Sequence, residues 1–290
     1  MVRRGAAKTD RSHAERMAAR DGYFAPESVI RRIGNSPITP FLGGGPAVLL
    51  QIAHPLVAAG VVDHSDYRGD LWKRLRRTLQ ALYLITYGTR EEAERSGPIV
   101  QAVHEHVHGV TTEWLGPFPP GTRYHASDPA LQLWVHATLV ECSLAVYERF
   151  VHPLSDDERE RYYREMCVVG CLFGVPGSVL PRTLREFREY FDAQIAGPEI
   201  TVADPARDVA RVIMEADLPQ PIRLLVPAHR LACAGLLPGR LRREYGLRWT
   251  PAHANALPLA ARTMRVAAAP VLRLASHLRR PLPRAAIKTP

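Results

Sequence analysis

The chain has 290 residues, with 38 Lys and Arg against 29 Asp and Glu, a formal net charge of +9, and a hydrophobic fraction of 46%. That is the composition of an ordinary globular protein, long enough to bury a sizeable core as one large domain or one domain with extensions. The positive balance raises nucleic acid or an anionic membrane surface as partners, but the basic residues are dispersed and no helix-turn-helix, zinc-finger or RNA-binding signature accompanies them, so nucleic acid is not expected.

Residues 1–22 are polar and basic and are expected to be disordered. Arg3 and Arg4 are followed by no apolar segment and no small-residue cleavage pattern, so a secreted or exported protein is not expected. Residues 23–255 read as one helical domain. In its early part Gly43, Gly44 and Gly45 lack the spacing of a phosphate loop and are expected to turn the chain into an apolar helix starting near Pro46. The apolar run from Pro46 to Val62 is broken by Gln51, His54 and Pro55, is short for a membrane span, and reads as a buried helix. His54 and His64 are candidate site residues there.

The stretch LWKRLRRTLQALYLITYGT, from Leu71 to Thr89, predicts a helix. Arg74, Arg77 and Thr78 stand at i, i+3 and i+4 and share one side of it, a cationic side with a hydroxyl. Leu75, Leu79, Leu82 and Tyr83 supply apolar surface beside them. Glu91–Gly97 reads as a turn, and a helix of about three turns is expected from Pro98 to Gly109, with proline in its first turn and glycine as its stop. His104 then falls among Val100, Val103 and Val107, on the apolar face. The Pro- and Gly-rich segment after it reads as loop.

Asp128 and Pro129 are an N-cap and first-turn pair. They open a helix that is apolar almost all round, hence central and buried, and it contains Trp134 and His136. Ser155 and Glu158 form a capping box. Further helices are expected from Pro181, from Asp204, over Pro221–Gly235 and over Pro238–Tyr245. Residues 256–290 form a basic amphipathic extension whose first reading is a helix packed on the body and whose second is a membrane-surface contact. Cys142, Cys167, Cys171 and Cys233 lie in apolar helical surroundings without metal-knuckle spacing, and buried free thiols in a cytoplasmic, reducing compartment are expected. No run of alternating strands is present. The fold class expected is all-α.

Three metal readings compete. His104-Glu105-His106-Val107-His108 is literally HExxH, which would place two imidazoles on one helix face to bind zinc with Glu105 as general base. A third ligand is missing and Gly109 stops the helix at once. A di-iron carboxylate site needs a second ExxH pair that the chain does not offer. Haem uses the residues better: one neutral imidazole on an apolar helix is a fit proximal ligand, and arginines hold propionates by charge-assisted hydrogen bonds.

The phrases LLQIAHPLVAAGVVDHS (49–65), RLRRT (74–78), YGT (87–89), V-H-x-x-V-x-G (103–109), DPALQLWVHATLV (128–140), GVPGSVLP (174–181) and LPGRLRREYGLRW (237–249) come in a specific order and spacing. In these, over roughly residues 40 to 250, the chain resembles the family of the haem-dependent rubber oxygenase (latex clearing protein) and the mycophenolic-acid-pathway oxygenase. The resemblance implies an all-α single domain with a globin-like core, haem b, and oxidoreductase chemistry using molecular oxygen. It places Arg74 and Thr78 in the haem pocket and makes His104 the iron ligand. Arg77 falls where the rubber-cleaving member has a lysine that approaches the distal iron side; arginine stays protonated and is a poor ligand. No match is found for that member's glutamate base, so polyisoprene cleavage is not implied. The expectation is therefore a haem b oxygenase acting on a small apolar, isoprenoid or lipid-like substrate, with Arg74, Arg77 and Thr78 as catalytic residues, Arg74, Thr78, His104 and His136 binding the cofactor, His104 holding iron, and His136 as second choice of axial ligand. A non-catalytic haem- or lipid-binding protein and a zinc hydrolase are the alternatives.

Overall fold

The computed structural model describes residues 21–65, 71–215 and 226–278, with side chains described outside 71–76 and 267–278. The fold is all-α: 68% of it is helical, in twelve helices among the described residues, with one two-stranded sheet. In order, the elements are α1 (Val29–Gly34), α2 (Ile38–Ile52), α3 (Pro55–His64), α4 (Leu71–Tyr87), α5 (Arg90–Glu105), β1 (His108–Val110), β2 (Arg123–His125), α6 (Pro129–Phe150), α7 (Asp156–Leu172), α8 (Leu184–Ala196), α9 (Asp204–Met214), α10 (Val226–Leu236), α11 (Gly239–Glu244) and α12 (Pro251–Leu278).

The core is built on α6, which is buried along most of its length and packs chiefly on α2. Its start is set locally, by Asp128 accepting the Ala130 N–H and Pro129 in the first turn. Helix α6 is long and apolar enough to cross a membrane, but 67% of that apolar window is buried inside the fold.

Helix α2 departs from expectation. It starts at Ile38, runs through all three glycines and Pro46, and stops at Ile52. Gly45 serves contact rather than a turn: a Cβ there would lie 2.5 Å from Cys233 Sγ and 2.7 Å from His229 Cε1, while Gly43 faces the Cys142 carbonyl of α6 and Gly44 has open space beside it. The apolar run is likewise two helices, α2 and α3, meeting at 105°. Pro55 has no N–H to continue α2, and His54 caps α3 instead, its Nδ1 accepting the Leu56 N–H at 3.3 Å. The carbonyls at the end of α2, which already accept the Ala53 N–H, accept from the core as well: Trp134 Nε1 donates to Leu50 O at 3.2 Å, and Tyr245 Oη to Leu49 O at 2.6 Å.

Helix α1 is tied down at both ends by other helices. Glu165 of α7 accepts the Ile30 N–H at 2.6 Å, a cap supplied from far along the chain. Arg31, buried beside Tyr87, donates to Thr86 O at 2.9 Å at the end of α4. Cys142 and Cys233 are buried, Cys167 is half-buried and Cys171 is exposed, so the thiols are free but not uniformly interior. The expected disordered segment falls outside the described residues up to 20. Of the expected extension, residues 256–278 belong to α12, which begins at Pro251, and 279–290 lie outside the described residues.

Candidate functional site

The hairpin of α4 and α5 carries most of the residues singled out by sequence. Helix α5 begins at Arg90, eight residues ahead of Pro98, because Thr89 and Glu92 form a full capping box. The Thr89 hydroxyl accepts the Glu92 N–H while the Glu92 carboxylate accepts the Thr89 N–H, which satisfies two of the open donors at the helix start. Pro98 is thus interior. The segment read as a turn is the first two turns of the helix.

Counted from the turn at Gly88, Arg74 is fourteen residues back and His104 sixteen forward. At about 1.5 Å of rise per residue these positions stand roughly 21 and 24 Å from the turn, so a packed antiparallel hairpin sets them side by side at its open end. Arg77 and Thr78 sit about one turn nearer the closed end. The side chain of Arg74 lies outside the described residues. Arg77 and Thr78 are exposed, and His104 is half-buried.

The closed end is packed and the open end is not. Ile85, Thr86, Ala93, Ser96 and Gly97 are buried. A Cβ on Gly97 would come within 2.3 Å of the Leu172 carbonyl, so α5 and α7 touch backbone to backbone at that point. One and two turns on, the same face carries Gln101, packed against Gly174, and then His104. His104 is half-buried on that line, whereas Ile99 and Val103 lie exposed on the outward side with Leu79 of α4. This corrects the expectation that His104 shares a face with Val103.

His136 approaches the same end of α7 from the other side. Its ring lies 3.1 Å from where a Gly170 Cβ would be, so glycine there leaves room for the imidazole. It is 4% exposed, neither ring nitrogen has a hydrogen-bond partner, and burial pushes its pKa down to about 4. It is a neutral imidazole at neutral pH. The two histidines lie on different helices, α5 and α6, and it is the His136 ring that packs on the last turn of α7.

The zinc geometry is not formed. Helix α5 ends at Glu105, His106 is its C-cap, and His108 already belongs to β1, so His104 and His108 are not one helical turn apart. His108 pairs with His125 across the sheet, rings stacked at 5.5 Å. The His64 ring nitrogen donates to His108 O at 2.9 Å. No group of three or more metal-binding side chains is present among the described residues. His54 is a cap stacked on Phe118, its pKa lowered to about 4 by burial, and is structural.

Two side chains were not singled out from sequence. Tyr124 passes between Gly60 and Gly109, where no side chain would fit beside it, and donates its hydroxyl to Asp63. Glu141, on α6 five residues after His136, has its pKa raised chiefly by burial, with Arg188 opposing. Only Gly109, flanked by bulky neighbours at a helix end, hinted at the first; nothing local marks the second. Grooves of about 560 and 360 Å³ run between the end of α6, α10 and α12, lined in part by Arg149, Gly235 and Arg265, and share no lining residue with this region.

An all-α domain with a helical hairpin carrying Arg74, Arg77, Thr78 and His104 defines the class. The family described as ER-bound oxygenase mpaB/B'/rubber oxygenase, catalytic domain, matches residues 31–269, and the chain belongs to it. It carries an oxygenase catalytic domain and is an oxidoreductase by family. Uncharacterized proteins of Mycobacterium bovis and Mycobacterium tuberculosis are each 29% identical to it over 212 residues, 71% of this chain and 79% of theirs. No solved structure matches the chain at significant similarity.

Proposed function

We propose that the chain is a haem b-dependent oxygenase that uses molecular oxygen to oxidise a small apolar substrate of isoprenoid or lipid-like character. The observation that carries this reading is the length match of the α4–α5 hairpin, which puts the Arg74, Arg77 and Thr78 positions on one helix and His104 on the next at similar distances from the turn.

The donor set fits a haem. A half-buried imidazole on a helix offers iron a nitrogen ligand, and a guanidinium pair is suited to two propionates because its planar fork matches a carboxylate. His136 adds a second buried, neutral imidazole with a ring nitrogen open to bind iron. Haem, when bound, supplies the activation of oxygen. The chain's own residues would do the rest: His104 holds the iron, Arg74 and Arg77 fix the carboxylates, and Thr78 offers a hydroxyl donor beside them. The free cysteines suit a reducing compartment, consistent with a cytoplasmic protein.

The test is an absorption spectrum of the purified chain before and after dithionite, with iron and zinc quantified. A Soret band with stoichiometric iron is expected, lost or shifted in His104→Ala. A colourless chain that takes up no hemin overturns the reading, as does His104→Ala with full haem content for the ligand assignment. A haem protein that consumes no oxygen with any added alkene would be a carrier.

A further inference from the structure

The net charge of +9 is not a property of the folded body. Residues 21–245 hold 24 basic and 27 acidic side chains, whereas residues 246–290 hold eight basic and none acidic. Helix α12 occupies most of that cationic segment, and its two sides are both apolar. Leu257, Ala261 and Met264 bury one side against Leu42, Phe150 and Ala232. On the opposite side, about 200° round the helix from Leu257, Leu259 is 66% and Val266 is 71% exposed.

Those two residues are seven apart and fall on one line of the helix surface. Arg262 flanks the line, about 60° to one side of Leu259, and is itself exposed. The attachment of α12 to the body is secure without this outer face: Leu257 closes on Gly235 of α10, where a Cβ would lie 2.5 Å from Leu257 Cδ2, and Arg265 Nε donates to Arg149 O at 2.8 Å. A helix held on its inner side does not need apolar residues in water on its outer side.

We infer that the outer face of α12 docks on an anionic membrane surface, with Leu259 and Val266 entering the headgroup boundary, Arg262 beside them facing lipid phosphates, and the acid-free composition of residues 246–290 supplying the charge. Charge complementarity selects this occupant. An interfacial helix needs an apolar line, flanking cations that can snorkel, and no carboxylate to repel the surface, and the segment meets all three. Such docking would hold the oxygenase body against the phase in which apolar substrates dissolve, though the inference does not depend on the haem reading.

The experiment is sedimentation of the full chain with vesicles of phosphatidylcholine alone and of phosphatidylcholine with phosphatidylglycerol, at low and high salt. Binding to the anionic vesicles only, weakening with salt, is expected. Each arginine near the surface contributes roughly five-fold in partition, so Arg262→Gln with Arg273→Gln should lower binding by roughly 25-fold. Leu259→Asp with Val266→Asp should abolish it. Circular dichroism and haem content should be unchanged in both. Equal binding to neutral vesicles, no binding at all, or wild-type binding by the Asp pair overturns the inference. So does a dimer in light scattering that the Asp pair dissociates, which would make a second copy the occupant, or tight binding to duplex DNA in place of vesicles. Should the Asp pair misfold, the Gln pair decides alone.

Discussion

Replacing His136 by leucine should flatten the acid side of the protein's stability curve. The folded chain holds this imidazole neutral down to about pH 4, whereas the unfolded chain takes up a proton near the ordinary histidine value of about 6.5. Between those values the unfolded state binds more protons than the folded state, so stability falls as pH is lowered through this window and is insensitive to the group above it. From pH 7.5 to pH 5 the linkage amounts to about 2 kcal/mol for this one residue. His54 contributes in the same direction, with a folded pKa also near 4, but it is present in both proteins and cancels in the difference. Urea denaturation of wild type and His136→Leu in haem-free form at pH 7.5, 6 and 5 measures it. The gap between the two curves should shift by about 2 kcal/mol in favour of the variant across that range. Parallel curves would refute the reasoning, because they would mean that His136 is protonated or hydrogen-bonded in the folded chain.

Gly97→Ala places a methyl 2.3 Å from the Leu172 carbonyl, and the forced separation of α5 and α7 should cost about 1–3 kcal/mol, read as a lower midpoint in thermal unfolding; an unchanged midpoint would show that the helices do not touch there. Thr89→Ala removes the N-cap of α5 and should cost about 1 kcal/mol, with Thr89→Ser restoring most of it in the same assay. Gly170→Ala, whose Cβ would press on His136 at 3.1 Å, should lower stability by about 1–3 kcal/mol, and by much less in the His136→Ala background, where the ring is gone; equal losses in both would place the strain elsewhere. His104→Ala should lose haem while leaving the denaturation midpoint of the haem-free chain nearly unchanged, since the side chain is only half-buried.

What the sequence determined by itself is the set of features whose physics is local. Asp128 with Pro129 and Ser155 with Glu158 start α6 and α7 where their side chains dictate, because a cap acts within three residues. The capping box at Thr89 and Glu92 is equally local and starts α5 eight residues ahead of the proline at 98. The all-round apolar character of 129–150 marked the central helix, since only a fully enclosed helix can be apolar on every side. Family membership was legible too, in seven short phrases kept in order.

Tertiary structure decided the rest. The glycines at 43–45 read locally as a turn, yet α2 runs straight through them, and Cys233 and His229 pack where a side chain on Gly45 would otherwise stand. His54 reads as a site residue until the bend at Pro55 makes it a cap. His104 shares no local signal with Arg74, and only the folding back of α5 on α4 sets their positions at matching heights. Spacing along a chain fixes which residues share a helix face; which faces meet is fixed by the burial of the whole core, a sum over contacts that no single stretch contains.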